Sequence, residues 1–106
     1  MIYSLDGVVS HVLPHAIVLT VNGVGYLVHP PQRVVDQSVV DTQRTLIIYH
    51  QVREDAHILY GFESTDDRQL FETLLSVSGI GPKAAIGILS HMERTDLIQA
   101  IQTWSL

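Results

Sequence analysis

Cysteine is absent from the 106 residues, which removes disulfides, thiolate zinc sites and cysteine nucleophiles from consideration. Charge is sparse: Asp, Glu, Lys and Arg make up 16% of the chain, while 46% is apolar. That balance belongs to a globular chain rather than a disordered one. No apolar run approaches the roughly 20 residues that span a bilayer. The opening MIYSLDGVVS lacks a basic end followed by an apolar stretch. The expectation is a soluble, cytoplasmic chain with no membrane partner. Positive charge is scarcer still, with six Lys+Arg against eleven Asp+Glu and a formal net charge of -5. Phosphate binders usually carry a basic footprint, so a nucleic-acid reading must gather few cations on one face and use uncharged donors too. The length suits one small domain or two very small ones.

The chain changes texture near Phe62. Before it the pattern is β. Ala16-Ile17-Val18-Leu19-Thr20-Val21 is rich in β-branched residues, and Asn22-Gly23 supplies a hairpin turn that tolerates positive φ. Val24, Tyr26 and Val28 then share one face. Thr45 to Val52 and His57 to Phe62 read as two more strands, and Ile2 to about Val12 as the first. Pro30-Pro31 opens a long connection with a short helix near Arg33 to Ser38. Strands this short and this many suggest a small closed barrel, because closure removes the edges. An SH3-like barrel or half a sandwich fits the same pattern.

After Phe62 the pattern is helical. Ser64 is placed to cap a helix, with Asp67 three residues on, and Leu70, Phe71, Leu74 and Leu75 follow at helical spacing. Ser76-Val77-Ser78-Gly79 breaks that helix. Pro82 suits the first turn of another, carrying Ala84, Ala85, Ile88 and Leu89 to about Ser90. A third is expected from Thr95-Asp96, with Leu97, Ile98, Ile101 and Trp104 on one face. The chain stops at Leu106 without a cap or closing element, as an incomplete helical domain would.

The densest chemistry lies in Val77-Ser78-Gly79-Ile80-Gly81-Pro82-Lys83-Ala84-Ala85. Its glycines let the backbone take positive φ and approach a neighbour closely. The turn feeds a helix N-terminus, whose free amides and dipole favour an anion. Lys83 adds one charge. Such a hairpin holds a phosphate without a basic surface; a plain helix–turn–helix corner would use the same residues. A dinucleotide fingerprint is ruled out because a helical pattern precedes Gly79, and a P-loop because Gly-Lys-Ser/Thr is missing.

Gly79-Ile80-Gly81-Pro82-Lys83-Ala84 resembles the first helix-hairpin-helix of the RuvA family of Holliday junction branch migration proteins. Val21-Asn22-Gly23-Val24-Gly25-Tyr26-Leu27-Val28-His29 is similar to the family's barrel hairpin, and Val52-Arg53-Glu54-Asp55-Ala56-His57-Ile58-Leu59-Tyr60-Gly61-Phe62 to its most recognisable stretch. Ala85-Ile86-Gly87-Ile88-Leu89-Ser90 continues in the same style. The resemblance implies an N-terminal five-stranded OB-fold barrel over residues 1–62 and a helical domain over 63–106 carrying the first helix-hairpin-helix only. It implies a homotetramer that holds four-way junction DNA in recombination, repair and the SOS response to DNA damage. It implies that Glu54 and Asp55 form an acidic pin at the crossover, with Arg53 against the backbone beside them. Gly79, Ile80, Gly81 and Lys83 would contact a phosphate of an arm, independent of base sequence. The family's second helix-hairpin-helix and the domain that engages the RuvB motor are not in this sequence, and Ser4 and Asp6 stand where members often carry basic residues. RuvC resolvase is a further implied partner.

Other residues carry less. His11 and His15 are four apart, but Pro14 and the strand texture argue against a shared helix face. His50 and His57 flank the acidic loop and can meet across strands. Without a third ligand no metal site is expected, and no cofactor. Tyr26, Tyr49, Tyr60 and Phe62 are expected in the core, although barrel aromatics also stack bases. No catalytic motif is present, so the chain is expected to be a non-catalytic subunit whose ATPase sits in the partner. The alternative is an OB-fold module for single-stranded nucleic acid or a protein partner.

Overall fold

A computed structural model of the chain describes residues 1–91 and 99. The strands are β1 (Ser4–Val12), β2 (Ile17–Val21), β3 (Val24–His29), β4 (Gln43–Val52) and β5 (His57–Phe62); the helices are α1 (Gln32–Gln37), α2 (Thr65–Leu75) and α3 (Pro82–His91). The expected third helix of the C-terminal part, with Leu97, Ile98, Ile101 and Trp104, lies outside the described residues.

The strands close in the order β1-β2-β3-β5-β4, the OB-fold arrangement expected from the resemblance. Each pairing is antiparallel except β3 with β5, where Val28 faces Leu59 and His29 faces Tyr60 in parallel register. Asn22 (φ 49) and Gly23 (φ 83) make the left-handed turn between β2 and β3. β1 starts at Ser4 rather than Ile2, and β4 starts earlier than Thr45 because Gln43 already pairs with Val8.

Alternation decides the interior. Leu5, Val9, Ile17, Leu19, Val28, Leu46, Ile48 and Leu59 point inward, and α1 places Val34 and Val35 in the same core. Gly61 is where the parallel seam closes: a Cβ there would lie 2.5 Å from Val28 Cγ1 and 3.1 Å from Leu46 Cδ1.

β5 is buried on both sides. Its opposite face sends Tyr60 and Phe62 into a second cluster with Phe71 and Leu74 of α2 and Ala85 and Leu89 of α3. Phe71 is the hub, with ring centroids 4.9 Å from Phe62, 5.2 Å from Tyr49 and 5.3 Å from Tyr60. Tyr60 and Phe62 are therefore core residues, while Tyr49 and Tyr26 are partly buried against the two clusters. Ser64 caps α2 by accepting from the Asp67 amide at 3.1 Å. Arg68 donates to the Ile48 carbonyl at 3.0 Å and pairs with Glu72 at 2.6 Å, tying α2 to β4. α3 is tied to α1: the Gln32 amide donates to Ser90 Oγ at 2.9 Å, and the Arg33 guanidinium donates to the Leu89 carbonyl. These ties set the α2–α3 turn at a defined place beside the barrel.

Candidate nucleic-acid interface

The α2–α3 turn is built by its own backbone. The Ser76 amide donates to the Glu72 carbonyl at 3.2 Å, Val77 to Leu74 at 3.1 Å, and Ile80 to Val77 at 3.2 Å. Gly79 takes φ +86, a conformation L side chains rarely adopt. Ile80 packs back into the second apolar cluster, so it anchors the turn. Pro82 opens α3, and the Ala85 amide closes the first helical bond on the Gly81 carbonyl at 3.0 Å. The amides of Gly81, Lys83 and Ala84 precede that ladder and have no backbone partner among the described residues.

The space in front of the turn is open. A Cβ built at Gly79 or Gly81 meets nothing within 4 Å. Gly79 is accounted for by its φ. Gly81 lies outside the left-handed region, and a Cβ there has no neighbour among the described residues, so an alanine fits that space.

The acidic segment is the β4–β5 hairpin tip. Val52 pairs with His57, and the Arg53 amide donates to the Ala56 carbonyl at 2.8 Å, closing the loop. Arg53, Glu54 and Asp55 are exposed on it. At its base the His50 Nε2 to His57 Nδ1 distance is 3.0 Å, and His50 Nδ1 accepts from the Ile2 amide at 3.0 Å. An accepting Nδ1 leaves the proton of neutral His50 on Nε2, which then donates to His57. Burial, then His57 and the N-terminal amine, hold the His50 ring below the ordinary imidazole range. Two nitrogens meet here as the spacing suggested, and no third protein ligand joins them among the described residues. No hydrogen bond or ion pair joins this hairpin to the α2–α3 turn among the described residues.

Three cations among the described residues are spent internally. Arg44 pairs with Glu63 at 3.0 Å, Arg68 with Glu72 at 2.6 Å, and Arg33 is given to the Leu89 carbonyl. Lys83 and Arg53 have no ion-pair partner among the described residues. Lys83 faces the cleft between α3 and the barrel, where His29 is held below its ordinary range by burial and then by the Lys83 charge. The Tyr60 phenol is pushed up by burial, with Arg53 opposing.

Residues 1–61 match the family model described as the RuvA N terminal domain. The chain belongs to the RuvA N-terminal domain family. It is also 40% identical over 99 residues to the Holliday junction branch migration complex subunit RuvA of Streptococcus pneumoniae, strain Hungary19A-6, covering 93% of this chain and 50% of that protein. The same figures hold for the subunit from strain CGSP14. The chain thus spans about half the length of the curated RuvA relatives it matches.

Sequence reasoning missed His15 and His29 as companions of Lys83. They come from the β1–β2 loop, the end of β3 and the start of α3, elements joined only by barrel closure and the α1–α3 ties. No local pattern links positions so far apart. The one hint was His29, at the end of the family-like barrel hairpin.

Proposed function

We propose that this chain is the junction-recognising part of a branch migration complex, binding four-way DNA without catalysing a reaction. The observation that carries the proposal is the α2–α3 turn, whose helix-start amides have no backbone partner among the described residues and stand beside the open space in front of Gly81. A phosphodiester oxygen is the acceptor that fits: it is anionic, present on every arm, and reached by close approach to backbone. Gly79 sets the turn, Ile80 anchors it, the Gly81 and Lys83 amides face the phosphate, and the Lys83 amine supplies charge. Contacts of this kind are blind to base sequence, which suits a protein that travels along DNA.

Glu54 and Asp55 act as the acidic pin. Their exposure at a closed hairpin tip supports this role. In a homotetramer four such tips surround the crossover. The carboxylates repel phosphates there and disfavour stacked arms, while Arg53 meets backbone alongside. Residues 1–62 work as the barrel unit and 63–106 as the helical unit. ATP-driven movement belongs to the RuvB partner, with RuvC as the resolvase that acts on the same junction in the bacterial cytoplasm.

A low-salt competition assay tests this. An immobile four-way junction, a linear duplex and a single strand of matched length compete for the chain. Preference for the junction is the expected result. Preference for the single strand refutes it in favour of an OB-fold strand binder.

A further inference from the structure

Among the described residues, the cleft between α3 and the barrel end is lined without a carboxylate. One compartment, about 530 Å³, is lined by His15, His29, Ile58, Tyr60, Lys83 and Ile86. The adjoining one, about 400 Å³, shares His15, Lys83 and Ile86 and adds Ser90 and His91. One permanent cation and three imidazoles therefore face a common space. We propose that this cleft is a second phosphate-binding site, continuous with the α2–α3 turn through Lys83, in which His15 and His29 take up protons as a DNA backbone phosphate enters. This rests on the DNA-binding reading for its natural ligand.

The hydrogen bonds prepare His15 for the role. Gln32 Nε2 donates to the Pro14 carbonyl at 2.9 Å and to Asp36 Oδ1 at 3.0 Å. Gln32 Oε1 is thereby turned to His15 at 2.8 Å and accepts a hydrogen bond from Nδ1–H. The neutral ring then carries its free lone pair on Nε2, and a proton added there breaks none of these bonds. It creates a charged donor instead. His29 stands at the end of β3 with its ring 6.1 Å from Tyr60.

The surroundings decide the direction of coupling. Facing His29 are Lys83 from α3, Tyr60 from β5 and His15 from the β1–β2 loop, with His91 in the adjoining compartment. Arg53 acts on Tyr60 from the β4–β5 loop. Asp36, behind Gln32, is the carboxylate tied into this network. Burial, then the Lys83 charge, hold His29 below its ordinary range. An anion reverses the Lys83 effect, and an opposite charge within about 4–6 Å raises an imidazole pKa by about one unit or more. An acidic protein thus gains positive charge where and when DNA arrives.

Two measurements separate this inference from the reading beneath it. Ring resonances of the histidines are followed by NMR against pH, with and without inorganic pyrophosphate as probe. The inference expects His15 and His29 to titrate about one unit higher with pyrophosphate, while His11 stays put. Unmoved His15 and His29 overturn it, whatever the chain does with DNA. Junction affinity is then measured from pH 8 to pH 6. Each proton taken up is expected to strengthen binding by up to about tenfold, the affinity equivalent of a one-unit shift. His15→Gln with His29→Gln removes that rise. If the rise survives in the double variant, the cleft is not the source and the inference fails. Pyrophosphate binding without junction binding would leave the cleft standing and reject the junction reading alone.

Discussion

Gly79 and Gly81 sit in different backbone conformations, so alanine at each separates folding from binding. At Gly81 the backbone is outside the left-handed region and the Cβ position is empty to 4 Å. Gly81→Ala therefore fits the folded state and restricts the unfolded chain, which stabilises by about 0.4–1 kcal/mol. At Gly79, φ +86 is retained only at a cost; an alanine in left-handed backbone loses about 1–2 kcal/mol. Both changes put a methyl where a phosphate is to approach the amides. A hydrogen bond to a charged group is worth about 1.5–3 kcal/mol, so losing one weakens junction binding by about tenfold or more. Urea unfolding and junction titration on the same preparations read both quantities. The decisive combination is Gly81→Ala, more stable or equal in stability and weaker in binding. A Gly81→Ala chain that binds as tightly as the parent refutes the claim that DNA reaches this backbone.

Lys83→Ala should weaken binding to all base sequences about equally and make the dependence of log affinity on log salt shallower by about 0.9, read from titrations at several salt concentrations. Exchanging Glu54 and Asp55 for Lys should strengthen junction binding and change how the arms are held; fluorescence transfer between labelled arms checks the second part, and no change in either contradicts the pin. Phe71→Ala empties the hub of the second cluster, where Phe71 is 0% exposed, and should cost about 3–5 kcal/mol in urea unfolding. Stability should fall as pH drops below about 6.5, the ordinary histidine value. His50 and His29 are held below it in the folded state, so the unfolded chain takes up protons first and is favoured as pH falls. Thermal unfolding between pH 7.5 and pH 5 measures this, with His50→Gln expected to flatten the trend.

The barrel was largely legible because period-two patterning carries it: Leu5, Val9, Ile17, Leu19 and Val28 announce an interior before any pairing is known. Asn22-Gly23, the Ser64 cap and the Pro82 start were also readable, since each is set by a residue's own backbone preference. The starts of β1 and β4 were not: β1 begins at Ser4, and Gln43 joins β4 through its pairing with Val8 rather than through its own propensity. The number of short strands suggested a closed barrel, and the OB-fold among small β folds came from the family likeness; the order β1-β2-β3-β5-β4 is set by pairings between distant strands. At the site, the glycine turn and the acidic loop are contiguous in sequence and were visible. The Lys83–His15–His29 cleft is assembled from three distant segments and had no signature in one dimension.

The central claim is that helix-start amides at the α2–α3 turn hold DNA phosphates, and amide NMR tests it most directly. An isotope-labelled chain is titrated with an immobile four-way junction at low salt, and the backbone resonances of residues 79–84 are followed. The account predicts that Gly81, Lys83 and Ala84 show the largest downfield amide shifts, saturating together and reversing with added salt. Large shifts confined to the barrel strands, with residues 79–84 unmoved while the junction is bound, would contradict it.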